Sequence, residues 1–371
     1  MKIAKGRVIR VAGTLVVAEN VPRPKIGDVV YIGPQRIIGE IIRIHGNKAA
    51  IQVYEDTSGL RPYDEVENTG KPLTAKLGPG IMKQIYDGLQ NPLTTIWKLA
   101  GPFVPRGVKT EPLDTKKKWE FMPVVKEGEK VEAVDIIGVV DETIAVKHKI
   151  LTPHGVRGKI IEIYEGKYTI KEPIAIIETP EGKKVNVTMM QEWPVKIPRP
   201  YKQKLPPTKP LITGQRVIDT FFPIAMRGSA AIPGGFGTGK TVTLHSLAKW
   251  SWADIIIYVG CGERGNEMAD VVTHFPELED PKTGQKLIER SIFIANVSNL
   301  PVAAREASVY LGVTIGEYFR DQGYNVALMA DSTSRWMEAV RELAGRLGAV
   351  SYTHLRAHET EADLVCRLLL E

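Results

Sequence analysis

The sequence predicts a multidomain protein of α/β plus β class, and three observations carry that prediction. From Lys5 to about Asn68, short apolar alternations are cut by glycine-bearing turns, the period-two pattern of antiparallel strands. The same pattern returns between about Lys116 and Met190. Beyond Leu211 apolar runs of strand length alternate with helix-length segments, which predicts a parallel sheet covered on both faces.

Taken in order, residues 1–72 predict a small antiparallel β-barrel with strands near 8–11, 15–17, 29–32, 37–44 and 49–54. Gly13, Gly27-Asp28, Gly33-Pro34 and Gly46-Asn47 punctuate them, and nothing catalytic stands among them. Residues 73–115 form a connecting segment in which Ile81, Ile85 and Leu89 recur at helical spacing, predicting one short helix after Gly78-Pro79-Gly80. Residues 116–190 predict an inserted β-rich module with strands near 133–140, 143–146, 159–164 and 173–177. Residues 191–210 carry Pro194, Pro198, Pro200, Pro206, Pro207 and Pro210, the composition of a stiff linker. From 211 to 349 the predicted order is strand 230–233, helix 240–250, strand 255–259, helix 266–275, strand 291–295, helix 302–319, strand 326–330 and helix 335–346. Asn299-Leu300-Pro301 reads as the start of the helix over 302–319, with proline tolerated in its first turn.

Composition narrows the class. With 371 residues, 43% hydrophobic and 25% charged, the chain has the make-up of a soluble globular protein of two to three domains. No apolar run approaches the roughly 20 residues of a spanning helix, and the N-terminus lacks the apolar core of a signal peptide, so membrane association is expected only through partners. Cys261 and Cys366 are too few for a disulfide framework or a zinc cluster, which suits a reducing cytoplasm, and Cys261 reads as a buried small residue. The net charge of +6 is spread out, and Lys116-Lys117-Lys118 reads as solvated surface, so no nucleic-acid partner is expected.

Chemistry is concentrated in Gly234-Gly235-Phe236-Gly237-Thr238-Gly239-Lys240-Thr241, which fits G-x-x-x-x-G-K-[ST] in full between a predicted strand and a predicted helix. Glycines let successive N–H groups converge on one centre at the positive end of a helix dipole, an anion nest. The expected nucleotide-binding set is Gly234, Gly235, Phe236, Gly237, Thr238, Gly239, Lys240, Thr241 and Val242, with ATP or ADP as ligand. Lys240 would reach the β- and γ-phosphates, and Thr241 would hold Mg2+. The run Val326-Ala327-Leu328-Met329-Ala330-Asp331 is an apolar strand ending in a carboxylate, the form of a Walker B metal contact, or else a cap for Ser332-Thr333-Ser334. Glu263, in Val259-Gly260-Cys261-Gly262-Glu263-Arg264-Gly265, either orients the attacking water or is an ordinary loop carboxylate. Arg335 faces an interface or the phosphates, or makes a structural ion pair.

Around these motifs the sequence resembles the catalytic A subunit of the vacuolar and archaeal-type rotary ATPases. The resemblance rests on Pro233 to Thr243, Gly260-Cys261-Gly262-Glu263-Arg264-Gly265-Asn266-Glu267-Met268, Phe275-Pro276-Glu277-Leu278, Ser298-Asn299-Leu300-Pro301-Val302-Ala303-Ala304-Arg305-Glu306 and Ala330-Asp331-Ser332-Thr333-Ser334-Arg335-Trp336, and it runs from Met1 to about Leu347. It implies a RecA-type P-loop domain and an inserted bulge module. It also implies ATP hydrolysis or synthesis with Mg2+, coupled to H+ or Na+ transport by the complex. Catalytic roles would fall to Lys240, Glu263 and to Arg264 in the active-site charge network, with Thr241 and Asp331 at the metal. The implied partners are a non-catalytic B subunit, which takes alternate places in an A3B3 hexamer and supplies the arginine finger, and the central and peripheral stalks. The implied location is the cytoplasmic face of the membrane.

Two departures stand out. Gly235 occupies a position where the family commonly has proline, and residues 350–371, including His354 and His358, match none of the family's continuation. The expectation is a chain truncated at its C-terminus with a foreign tail that binds no metal. Two other readings stay open: a hexameric nucleic-acid translocase, which needs a strand channel lined with stacking aromatics, and a nucleotide-binding fragment without turnover.

Overall fold

The computed structural model describes residues 5–101, 106–108, 110–235, 237–281, 283–298 and 300–346. The tail with His354, His358 and Cys366, and also Phe236 and Asn299, lie outside the described residues. Two compact units are present, one made of residues up to 72 with 301–306 and 333–346, the other of 73–300 and 307–332.

In the first unit six strands form a closed antiparallel barrel: β1 (Gly6–Ala12), β2 (Leu15–Glu19), β3 (Asp28–Ile32), β4 (Ile37–His45), β5 (Lys48–Val53) and β6 (Glu65–Pro72), in the order β1-β2-β5-β4-β3-β6. Closure comes from β1 pairing β6 through Gly6 and Val66, which leaves the sheet without an edge. Alternate side chains such as Val16, Ala18, Ile41, Ile51 and Val66 fill the interior. Each buried valine or isoleucine contributes about 1.5–3 kcal/mol, and the exposed partners in the alternation keep the outer wall polar.

The second unit holds a β-module and an α/β layer. The module consists of two four-stranded antiparallel sheets, one of Lys130–Val131, Gly158–Ile163, Pro173–Glu178 and Lys184–Thr188, the other of Lys147–Leu151, Ile136–Asp141, Lys118–Pro123 and Gly166–Thr169. In the α/β layer, Val326–Asp331, Ile255–Glu263, Ser291–Val297 and Ile85–Tyr86 lie side by side in that order, all parallel. Ile255–Glu263 is central and buried from Ile255 through Gly262, as its unbroken apolar run requires. Helices Lys240–Trp250 and Gly265–His274 contribute Leu247, Ala248, Met268 and Val271 to a core with Tyr258, Phe275 and Phe293.

A buried polar clasp joins the β-module to the helix Val302–Asp321. His148, wholly buried, donates from Nδ1 to Glu142 Oε2 at 2.6 Å and is hydrogen-bonded through Nε2 with the Tyr318 hydroxyl at 2.7 Å. The other carboxylate oxygen of Glu142 accepts the amides of Gly80 at 2.6 Å and Met82 at 2.9 Å. Beside it Arg199, also wholly buried, donates from Nε to Asp321 Oδ2 at 2.7 Å while its guanidinium stacks on Trp193 and Tyr318.

Four expected elements differ. The helix expected from Ile81, Ile85 and Leu89 is absent: Ile85–Tyr86 pairs with Phe293 and Ile294 as the outermost strand, and the helix forms at Leu93–Ala100, after Pro92. A free sheet edge with Tyr86 fully buried outcompetes an isolated two-turn helix, which is marginal alone. Residues 229–233 form no strand and are largely exposed, because small alanines offer little area and Pro233 has no N–H for a ladder. Residues 143–146 make a turn, in which Thr143 Oγ1 accepts the amides of Ala145 and Val146, and the strand begins at Lys147. The proline-spaced stretch opens with a strand, Gln191–Pro194, paired with Thr74–Leu77.

Candidate nucleotide-binding site

The glycine loop stands at the N-terminus of the helix Lys240–Trp250, whose N-cap is Gly239 at φ 82° and ψ 18°. Only glycine enters this left-handed region without strain, and the turn it makes swings the chain into the helix. Thr243 closes the first turn, its amide donating to the Gly239 carbonyl at 2.9 Å and its hydroxyl at 3.0 Å. No acidic residue of the helix itself occupies that first turn, so nothing within the helix offsets the positive end of its dipole. Gly234, Gly235, Gly237, Thr238 and Gly239 are exposed, and Val242 is 68% exposed.

Lys240 folds back onto its own loop, its Nζ donating to the carbonyls of Gly234 at 2.5 Å and Gly235 at 2.6 Å. Thr238 Oγ1 also donates to the Gly235 carbonyl, at 2.9 Å. An ammonium held by exposed carbonyls is available to a stronger acceptor.

Thr241 and Asp331, ninety positions apart, meet: Thr241 Oγ1 donates to Asp331 Oδ2 at 2.8 Å. Asp331 ends the strand Val326–Asp331 and is 7% exposed. The same Oδ2 accepts a hydrogen bond from the Tyr258 hydroxyl at 3.0 Å. Burial first, and then the neighbouring carboxylate, hold that phenol protonated far above its ordinary range, so it acts as a donor. The His245 ring lies 5.7 Å from that of Tyr258, and burial pushes its pKa below the ordinary value of 6.5 against the opposing pull of Asp331.

Glu263 is the last residue of the central strand, and a bulge sets its direction. Cys261 pairs with Asn296 and Glu263 with Val297, so Gly262, at φ 72°, is the extra residue. Gly260 pairs with Asp331 on one side and Ala295 on the other, and Glu263 pairs with Val297, so Glu263 lies two ladder steps farther along, about 7 Å at 3.3 Å per residue, beyond the same carboxyl edge. Arg264 is the N-cap of Gly265–His274 and makes a half-exposed contact of 3.8 Å with Glu267, a pair of little energetic weight. Arg335 lies on the helix Thr333–Arg346, which belongs to the barrel's unit.

Sequence reasoning misses Tyr258. Periodicity reads Ile255-Ile256-Ile257-Tyr258-Val259 as a buried strand, and the one hint is a polar aromatic inside an aliphatic run. Cys261 is buried as expected, with Sγ 3.7 Å from Ser308 Oγ. Among the described residues no three His, Cys, Asp or Glu side chains cluster as a metal cage, and no helix is long and apolar enough to cross a membrane. Two shallow hollows of about 650 and 490 Å³ lie on the β-module, and neither is lined by a residue of the glycine loop. The loop is an open shelf.

Comparison with known proteins bears on this geometry. Relatives include the A subunit of the A-type ATP synthase of Thermofilum pendens, 57% identical over 345 residues, which are 93% of this chain and 57% of that protein. Its counterpart in Methanopyrus kandleri is 58% identical over 344 residues, 92% of this chain and 58% of that protein. The V-type ATP synthase alpha chain of a Thermoanaerobacter species is 57% identical over 345 residues, 93% of this chain and 58% of that protein. The chain therefore spans under two thirds of the length of these relatives. Among solved structures, the assembled ATPase EscN of the enteropathogenic E. coli type III secretion system shares the fold, with a TM-score of 0.56 at 20% identity over 92% of this chain and 60% of that one. Residues 8–70 match the description "ATP synthase alpha/beta family, beta-barrel domain", and residues 110–196 match "ATPsynthase alpha/beta subunit barrel-sandwich domain". With residues 214–355 matching "ATP synthase alpha/beta family, nucleotide-binding domain", barrel, sandwich and P-loop shelf follow one another in a single family's arrangement, and the chain belongs to the ATP synthase alpha/beta family, as a relative of the A-type A subunits and the V-type alpha chains.

Proposed function

We propose that this chain is the catalytic A-type subunit of a rotary ATP synthase/ATPase, binding ATP or ADP with Mg2+ and hydrolysing or synthesising ATP while the assembled complex moves H+ or Na+. The observation that carries the reading is the 2.8 Å bond between Thr241 and Asp331, which unites the end of the glycine loop with the carboxylate ending the strand Val326–Asp331. Mg2+ fits these residues: both offer hard oxygen atoms, and such an ion takes one or two protein ligands with water and phosphate completing its shell. When bound, it neutralises charge on the β- and γ-phosphates.

The chain's own residues supply the remainder. Amides of the loop and first helical turn, Gly237 to Val242, bind phosphate oxygens at the positive helix end. Lys240 exchanges its two loop carbonyls for phosphate. Glu263 accepts a hydrogen bond from the attacking water and aligns it, a positioning role suited to phosphoryl transfer, and Arg264 joins the surrounding charge network. In an A3B3 hexamer this chain takes turns with a non-catalytic B subunit, which provides the arginine finger. The stalks and the ion-translocating sector hold the complex at the cytoplasmic face of the membrane.

Calorimetry of Mg·ADP binding to the 371-residue chain tests the reading directly. Lys240→Ala should weaken binding roughly 10- to 100-fold, the range of a charge-assisted hydrogen bond, with the unfolding midpoint unchanged. Equal affinity in parent and variant overturns the assignment of the loop. In a reconstituted complex, Glu263→Gln should keep nucleotide affinity and lose turnover; retained turnover removes its role.

A further inference from the structure

We propose that Tyr258 is a positioning residue of the metal site, its hydroxyl fixing the Asp331 carboxylate so that Oδ2 is committed to Thr241 and Oδ1 is presented to the cation. This deepens the function proposed above and rests on it.

Strand register explains how the two side chains meet. Gly260 is the parallel partner of Asp331, and Tyr258, two residues before it, shares the sheet face of Gly260. A diagonal runs on that face from Tyr258 to Asp331, and Gly260 adds no side chain of its own beside it: the Met268 methyl takes the place, 1.8 Å from where a Cβ would stand. The phenol reaches along this diagonal to within 3.0 Å of Oδ2.

The ring of Tyr258 packs among Phe275, Phe293 and His245, with centroids 6.2, 6.1 and 5.7 Å away. A phenylalanine would fill that space equally well. Burial of the hydroxyl, at 1% residue exposure, is therefore compensated through Asp331. The helix Lys240–Trp250 braces both ends of the arrangement: Thr241 donates to Oδ2, and His245, one turn on, lies against the Tyr258 ring. With Thr241 and Tyr258 both donating to Oδ2, rotation of the carboxylate is stopped, and among the described residues Oδ1 accepts no hydrogen bond. Pre-set ligand orientation of this kind sets metal affinity as strongly as ligand identity does.

The test is Tyr258→Phe in the full 371-residue chain, with ADP affinity measured by calorimetry in EDTA and in Mg2+, and Mn2+ binding in the presence of ADP followed by the loss of the free-ion EPR signal. The expected result is unchanged ADP affinity without metal, a roughly tenfold smaller enhancement of affinity by Mg2+, and a matching fall in Mn2+ affinity. In an Asp331→Asn background the same substitution should have no further effect on the metal, because the carboxylate it acts through is gone. Equal losses with and without metal mark a packing role and overturn the proposal. So does a metal enhancement left intact, or an undiminished effect in the Asn background. If the parent chain binds no ADP under either condition, the nucleotide site itself fails, and that result is distinct from all of these.

Discussion

Two polar sites in the same compact unit are built in opposite ways. The glycine-loop shelf is exposed, its residues 234–241 are contiguous, and Lys240 and Thr238 satisfy themselves locally on loop carbonyls. The clasp around His148 is closed to solvent and is drawn from segments near 80, 142, 148, 199 and 318–322. A ligand site must leave donors free to change partners, so it tolerates substitution without unfolding. In the clasp His148, both carboxylate oxygens of Glu142 and the Nε of Arg199 are already engaged by protein, so the integrity of the unit depends on it while ligand chemistry does not.

The largest effect expected from this contrast is at Glu142. Its Oε2 accepts from His148 and its Oε1 from two amides, so Glu142→Ala strands three donors at once, the wholly buried His148 among them. Breaking a buried charge network at one partner costs about 3–5 kcal/mol, and the loss should appear as a lowered denaturant midpoint in hydrogen exchange of strand Lys147–Leu151 and of helix Val302–Asp321 near Tyr318. The folded fraction should bind Mg·ADP as the parent does. A variant that keeps its exchange protection but loses nucleotide affinity breaks the contrast and couples clasp to shelf.

The two sites are legible in the sequence to different degrees for a physical reason. An anion nest requires consecutive amides, so Gly234 to Thr241 must be adjacent in sequence and can be recognised there. Asp331 is readable because a carboxylate ending an apolar strand has one predictable location, the carboxyl edge of a parallel sheet. Tyr258 is not, since its role depends on a diagonal between neighbouring strands, and pairing register is invisible in one strand's periodicity. The barrel follows from its alternation, whereas Ile85–Tyr86 is misread because its partner strand, at Phe293 and Ile294, stands far along the chain. Glu142, His148, Arg199 and Asp321 form no motif; each reads alone as an ordinary surface charge, and only tertiary packing buries them.

A smaller effect separates the two regions by pH. Each has a histidine whose pKa is lowered chiefly by burial, His245 beside the shelf and His154 beside the clasp, where Arg199 adds to the lowering and Asp321 opposes it. The folded chain resists a proton that the unfolded chain takes up near 6.5, so stability is greatest above that value and declines as pH falls below it. Replacing either with Gln should make the variant gain on the parent in unfolding midpoint as pH is lowered from about 7.5 to about 5, the span over which an ordinary histidine titrates. A constant offset across that range would mean the histidine contributes through packing alone.

The smallest effect tests the loop against itself. A Cβ added at Gly235 or at Gly237 meets no atom within 4 Å, so sterics treat the two positions alike. They differ in backbone: Gly237 sits at φ +78°, while Gly235 lies outside the left-handed region. Gly235→Ala should therefore stabilise the chain by about 0.4–1 kcal/mol, by narrowing the unfolded ensemble, and leave Mg·ADP affinity intact. Gly237→Ala should cost about 1 kcal/mol and weaken binding, because relieving the strain turns an amide of the nest away from the phosphates. Gly235 is also where the family commonly carries proline, so tolerance there fits a loop whose binding geometry is set from Gly237 onward. Equal responses at the two positions would show that the loop's conformation is fixed by the bound nucleotide rather than by the glycine at 237.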